Sequence, residues 1–226
     1  MSGHIVKSFD RDLDELVGLV KTMGETVSNQ LEKAGRALIT LDVALAEEVR
    51  EGDAVVNGQH VNVDAHVEDQ IAMRQPQAVD LRRLLGCSRI SVDLERMGDE
   101  VRNIARSIVR LHDSATEGVL ANRSALVMAV ATLRNMIDDV MKAFLTDDTE
   151  LARAVIRRDR MVDDVFRTTL RSLVTHMVED PGATSGAIEL IWIAKALERV
   201  GDHTKNVAET VVFIREGADV RHDLIA

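Results

Sequence analysis

Apolar residues recur at alternating intervals of three and four along most of the chain, and that spacing predicts six long helices. The first stripe, Leu13, Leu16, Val20, Met23, Val27, Leu31, Ala34 and Leu38, predicts a helix over about 9–39. Asp10, Asp12, Asp14 and Glu15 then fall in its first turn, where acids suit the positive end of the helix dipole. Val49, Val56, Val63, Val67 and Ile71 carry a second helix over 42–74, through the turn-like Asn57-Gly58. Pro76 suits a first helical position, and a third helix over 76–111 has the seam Leu94, Met97, Val101, Ile104, Ile108 and Leu111.

Residues 112–118 lack this periodicity and separate two halves. Three further helices over 119–145, 147–178 and 181–215 repeat the scheme, with Asp180-Pro181 opening the last as Gln75-Pro76 opens the third. The seam Leu197, Val200, Thr204, Val207, Val211 and Ile214 copies that of the third helix. The expected fold is all-α: tandem three-helix bundles over 1–114 and 115–226, related by internal duplication.

The duplication is also written in polar residues. Glu95-Arg-Met-Gly-Asp-Glu-Val-Arg-Asn103 returns as Glu198-Arg-Val-Gly-Asp-His-Thr-Lys-Asn206, 103 positions later. Residues four apart share a helical face, so Glu95 neighbours Asp99 and Glu198 neighbours Asp202, with Asn103 and Asn206 one turn further on. Beside an apolar seam, desolvation makes such like-charge pairs costly, and a cation resolves the conflict. Gly98 and Gly201 are poor helix residues, and their return at one point of both copies predicts close approach by a neighbouring helix or ion.

The preceding helix of each unit is expected to supply more ligands. In the second unit these are Asp159 and Asp163, with Asp164 beside them; in the first, Asp53 and Asn57, with His60 and Asp64 continuing the row. All-oxygen donors suit Mg²⁺, Ca²⁺, Mn²⁺ or carboxylate-bridged iron, with Zn²⁺ a further divalent candidate. Asn57 replaces an acid, so the first copy is expected to bind metal less tightly. The plain alternative is a solvated charged face neutralised by Arg102 and Lys205, each three residues beyond an Asp, with Arg96 and Arg199 reaching other helices.

Composition narrows the function. With 28 Lys+Arg against 38 Asp+Glu, the net charge of −10 argues against gripping nucleic-acid phosphates. The single cysteine, Cys87, lies in an apolar helical stretch and reads as a buried hydrophobe. The polar start and the lack of a long apolar run predict a soluble, cytoplasmic protein. No His has Glu three positions before it, which removes the ferritin-like di-iron pattern. No phosphate loop, dinucleotide fingerprint or nucleophile elbow occurs, so no enzyme is expected. His203 and the Arg82, Arg83 and Arg89 patch read as ordinary surface groups.

Taken together, these residues resemble the PhoU family of phosphate-specific transport system accessory proteins. The likeness is carried by Glu95-Arg-Met-Gly-Asp99 and Glu198-Arg-Val-Gly-Asp202, which match that family's E-R-x-G-D motif. The stretch from Arg74 to Arg82, Glu51-Gly-Asp53 and Met177-Val-Glu-Asp180 add to it. The resemblance implies paired three-helix bundles, often dimeric, whose acidic rows bind metal ions, in some members as multinuclear clusters. It further implies a cytoplasmic negative regulator of the phosphate-starvation response, linking the phosphate ABC importer ATPase to a sensor histidine kinase at the membrane. A metal-dependent hydrolase and a metal-free helical scaffold are the competing readings.

Overall fold

In a computed structural model, residues 2–114 and 116–217 are described, without the side chains of residues 2–10 and Ala78. Seven α-helices and one 3₁₀ turn account for nearly all of them: α1 (Ser2–Thr40), α2 (Val43–Arg74), α3 (Ala78–Ser114), α4 (Glu117–Leu120), α5 (Arg123–Thr146), α6 (Thr149–Glu179), the 3₁₀ turn Pro181–Ala183, and α7 (Thr184–Glu216). The expected boundary between halves touches Ala115, outside the described residues, as do residues 218–226.

The predicted elements differ at their ends. Helix α1 begins well before residue 9, so Asp12 lies beyond its first turn; its carboxylate instead takes the Arg74 guanidinium at 2.8 Å. Pro76 stands outside α3, because Gln75 adopts a left-handed φ of 48° that ends α2 and the helix restarts at Ala78. The fourth predicted helix is broken: Ala121-Asn122 forms a turn between α4 and α5. Pro181 initiates a 3₁₀ turn, not α7 itself. Asp42 and Asp148 cap α2 and α6, accepting from the amides of Leu45 and Leu151 at 3.0 and 2.9 Å. Asn57-Gly58 does not interrupt α2.

Both copied seams are buried. Leu94, Met97, Val101, Ile104, Ile108 and Leu111 on α3 have no exposed surface, and Leu197, Val200, Thr204, Val207, Val211 and Ile214 on α7 are buried with them. Helices α1–α3 form one unit and α5–α7 the other. Helix α3 lies along α7 and α1 along α5, so the two units close over one continuous apolar core. Helices α2, α3, α7 and α6 therefore run side by side, with α1 and α5 beneath. Each acidic row sits where an outer helix, α2 or α6, packs on an inner one. Among the described residues, no helix is long and apolar enough to cross a membrane.

Candidate metal centre

The repeated glycine explains the local packing. A Cβ on Gly98 would stand 3.1 Å from Val56 and 3.6 Å from Asp53 Oδ1; one on Gly201 would stand 2.9 Å from Asp159 Oδ1. Each glycine thus opens a slot in an inner helix, and the slot receives an Asp from the outer helix. Asp53 and Asp159 are buried there, 4% and 5% exposed, and the Oδ1 of each lacks a hydrogen-bond partner among the described residues. Buried, unpartnered carboxylate oxygens are costly enough to require a reason.

The two copies then diverge. In the first, the Arg102 guanidinium bridges the helices, pairing with Asp53 Oδ2 and with Asp99 Oδ1 at 2.6 Å. Asn57 donates to Asp53 Oδ2 at 3.2 Å. Arg96 lies 3.5 Å from Glu95 and 3.8 Å from Asp99. A built-in cation therefore sits between these carboxylates, a physical ground, beside the missing acid at Asn57, for expecting the first row to need an added ion less.

In the second copy, Asp159 and Asp163 on α6 face Glu198 and Asp202 on α7. The Arg102 position is Lys205, which only approaches Asp159 Oδ2, at 3.8 Å. Lys195 holds Glu198 at 2.5 Å, and Arg167 lies 4.0 Å from Asp163. Among the described residues Asp202 has no ion pair. Burial first, then the charges of Asp163, Asp202 and Glu198, push the Asp159 carboxyl from 3.8 up to about 6, against the pull of Lys205. Asp202 is raised too, by desolvation and then by Glu198 and Asp163; its outer face is exposed, so water screens part of this push.

Four hard oxygen donors with too little compensating charge fit a divalent cation. Asp159, Asp163, Glu198 and Asp202 would hold it, and it would neutralise the row and tie α6 to α7. As the side chains stand, no three Asp, Glu, His or Cys groups among the described residues converge on a common ion position. Binding therefore requires side-chain rotation within the row, where Glu198 now pairs with Lys195.

Not every predicted ligand joins a row. Asn103 donates to Glu100 at 3.3 Å, and Asn206 reaches across to Asp93 on α3 at 3.1 Å; both turn toward the clefts between α3 and α7. Eight residues along a helix have drifted about 80° around the axis, too far to share a face with Glu95 or Glu198. Asp164 points outward, 76% exposed at its side chain. His60 and Asp64 serve α3, pairing with Ser91 and Ser88. His203 binds Asp93 at 2.9 Å, joining α7 to α3. Arg83 and Arg89 are held by Asp147 and the Phe213 ring, at 3.5 and 4.7 Å. Spacing alone missed Arg102 as the bridge to Asp53, a contact between helices.

The PhoU domain matches twice, at residues 20–108 and 129–211, one match centred on each three-helix unit. The chain belongs to the PhoU family. It is 38% identical over 223 residues to the phosphate-specific transport system accessory protein PhoU homolog of Pseudomonas putida, covering 98% of this chain and 86% of the relative. The corresponding protein of Pseudomonas aeruginosa is 37% identical over 98% of this chain and 91% of its own length. The crystal structure of PhoU from Pseudomonas aeruginosa superposes with a TM-score of 0.86 at 35% identity, over 93% of this chain and all of that one. A Streptococcus pneumoniae PhoU crystal structure has the same fold, with a TM-score of 0.86 at 24% identity over 94% of this chain and 99% of that one.

Proposed function

We propose that this chain is a non-enzymatic regulator of phosphate homeostasis whose α6–α7 carboxylate row holds a divalent metal ion. Family membership supports the first part, since its relatives are named as accessory proteins of phosphate transport. The observation that carries the second is Asp159 Oδ1, buried without a partner against Gly201 among four carboxylates. Mg²⁺, Mn²⁺, iron and Zn²⁺ all fit the donors, harder ions best. The bound ion fixes the distance between α6 and α7 and reduces the negative field over that face.

The chain acts in the cytoplasm as a homodimer, repressing the phosphate-starvation response when phosphate is plentiful. Its partners are the importer's ATPase subunit and a sensor histidine kinase. The relatives' names as phosphate-specific transport system accessory proteins support the importer as a partner, and the net charge of −10 suits basic patches on either one.

Elemental analysis of protein purified without chelator tests the metal. Wild type is expected to retain metal, Asp202→Ala to lose it, and Asp99→Ala to resemble wild type, because Arg102 already neutralises the first row. Equal metal content in wild type and an Asp159→Asn/Asp202→Ala variant removes the site. A starvation-promoter reporter in a deletion strain tests regulation: the promoter should stay active at high phosphate until the gene is restored. Phosphatase turnover that vanishes with Glu198→Ala would instead establish the hydrolase.

A further inference from the structure

Helices α3 and α7 leave two clefts between them, and these are one place written twice. One, of about 340 Å³, is lined in part by Arg89, Val92, Glu209 and Phe213. The other, of about 250 Å³, is lined in part by Trp192, Lys195, Arg106 and Arg110. The 103-residue offset that carries Glu95 to Glu198 also carries Arg89 to Trp192, Val92 to Lys195, Arg106 to Glu209 and Arg110 to Phe213. Duplication supplied two equivalent clefts, and substitution has since made them chemically opposite.

The first cleft is internally satisfied. Arg89 lies over the Phe213 ring at 4.7 Å, and Asp93 receives His203 and Asn206 at 2.9 and 3.1 Å. The second gathers four cations, Arg106, Arg110, Lys195 and Arg199, around one acid, Glu100, on a chain whose net charge is −10. Arg199 pairs with Glu100 at 3.1 Å and Lys195 with Glu198 at 2.5 Å. Arg110 is only loosely held, 3.8 Å from Glu189, and Arg106 makes no ion pair among the described residues. Trp192 is 58% exposed beside them, with no cation stacked on its ring among the described residues.

We propose that this second cleft binds a nucleotide. Its phosphate lies between Arg106 and Arg110, whose forked N–H groups match phosphate oxygens. Its base stacks on the Trp192 face, as bases do on exposed aromatic platforms beside cationic grooves. The cleft, about 250 Å³, is somewhat smaller than the roughly 300–1,000 Å³ of enclosed small-molecule pockets, so it takes one small ligand with part of it left in water. A broad acidic protein surface fits poorly, because the Glu198–Asp202 row continues along α7 and would repel it. A cationic helix face is ordinarily just solvated; here the equivalent cleft carries Glu209 and Phe213 at the Arg106 and Arg110 positions, so neither shared packing nor shared ancestry requires the cations. The proposal does not rest on metal in the acidic row, which this cleft meets at Lys195 and its Glu198 pair.

The experiment uses the cleft's own reporter. Trp192 is the chain's one tryptophan and the chain has no tyrosine, so fluorescence reads this cleft alone. The full chain, in chelator to keep the acidic rows metal-free, is titrated with AMP, ATP, ribose 5-phosphate and inorganic phosphate, with excitation at the red edge of tryptophan absorption and calorimetry in parallel. AMP and ATP are expected to quench Trp192 saturably and to bind more tightly than the two ligands without a base. Arg106→Glu and Arg110→Phe, each installing the residue of the equivalent cleft, should weaken AMP by about tenfold or more, the usual effect of losing a charge-assisted contact. Val92→Glu, in the other cleft, should leave binding unchanged. No saturable response to AMP or ATP overturns the proposal. So does undiminished affinity in both cleft variants, and so does phosphate or ribose 5-phosphate binding as tightly as AMP.

Discussion

Replacing Asp159 by Asn removes a charge while keeping the shape, so its effect on stability isolates the electrostatic penalty in the α6–α7 row. The Asp159 carboxyl is pushed from 3.8 to about 6 when folded, chiefly by burial and then by Asp163, Asp202 and Glu198. An acid whose folded pKa exceeds its unfolded one stays neutral in the folded chain while the unfolded chain already ionises. Below about pH 4 both states are protonated and no penalty exists. Stability falls as pH rises from about 4 to 6, and the loss is complete above that. About two pH units correspond to roughly 3 kcal/mol at 1.36 kcal/mol each. The Asp159 side chain is 7% exposed, so little solvent screening reduces this figure.

Urea denaturation in chelator, for wild type and Asp159→Asn at pH values from 4 to 8, gives the difference directly. Other titrating groups act in both proteins and largely cancel. The variant should gain on wild type by about 2–3 kcal/mol between the extremes. Saturating divalent cation should cancel most of that gain at pH 7, because an ion at about a hundred times its dissociation constant stabilises the binding-competent chain by about 2.7 kcal/mol. A flat difference across this range, or equal cation stabilisation of both chains, refutes the reading of a charge-strained row.

Gly201→Ala should destabilise by about 1–3 kcal/mol in the same denaturation assay, since its Cβ meets Asp159 Oδ1 at 2.9 Å. Gly58→Ala, with nothing within 4 Å of the new atom, should instead stabilise α2 by about 0.5–1 kcal/mol. Arg102→Ala should destabilise by about 2–4 kcal/mol at pH 7, leaving Asp53 buried and unpaired, and should give the first row a cation-dependent rise in melting temperature. Cys87, buried with its thiol pushed up to about 12, should resist thiol reagents in the native chain and react fully in denaturant.

The helices, their buried faces and the duplication are legible in the linear order of residues. A stripe spaced by three and four leaves one face to hide, and Leu94 to Leu111 and Leu197 to Ile214 are hidden accordingly. The same order puts Glu95 beside Asp99 and Glu198 beside Asp202, because i,i+4 neighbours are fixed by the helix alone. Ends were less legible: Pro76 and Pro181 both precede their α-helices, since the backbone of Gln75 and the cap at Asp180 depend on how the chain enters the next helix. Contacts between helices came from packing and could not be read in advance. Arg102 looks like a simple i,i+3 partner of Asp99, yet it also bridges to Asp53 on α2. Lys205, at the same place in the copy, leaves its row undercompensated. Asn103 and Asn206 share the motif but face another cleft. Charge compensation falls off over a few ångströms, and a linear motif gives distances along one helix while the packing of its neighbours sets all the others.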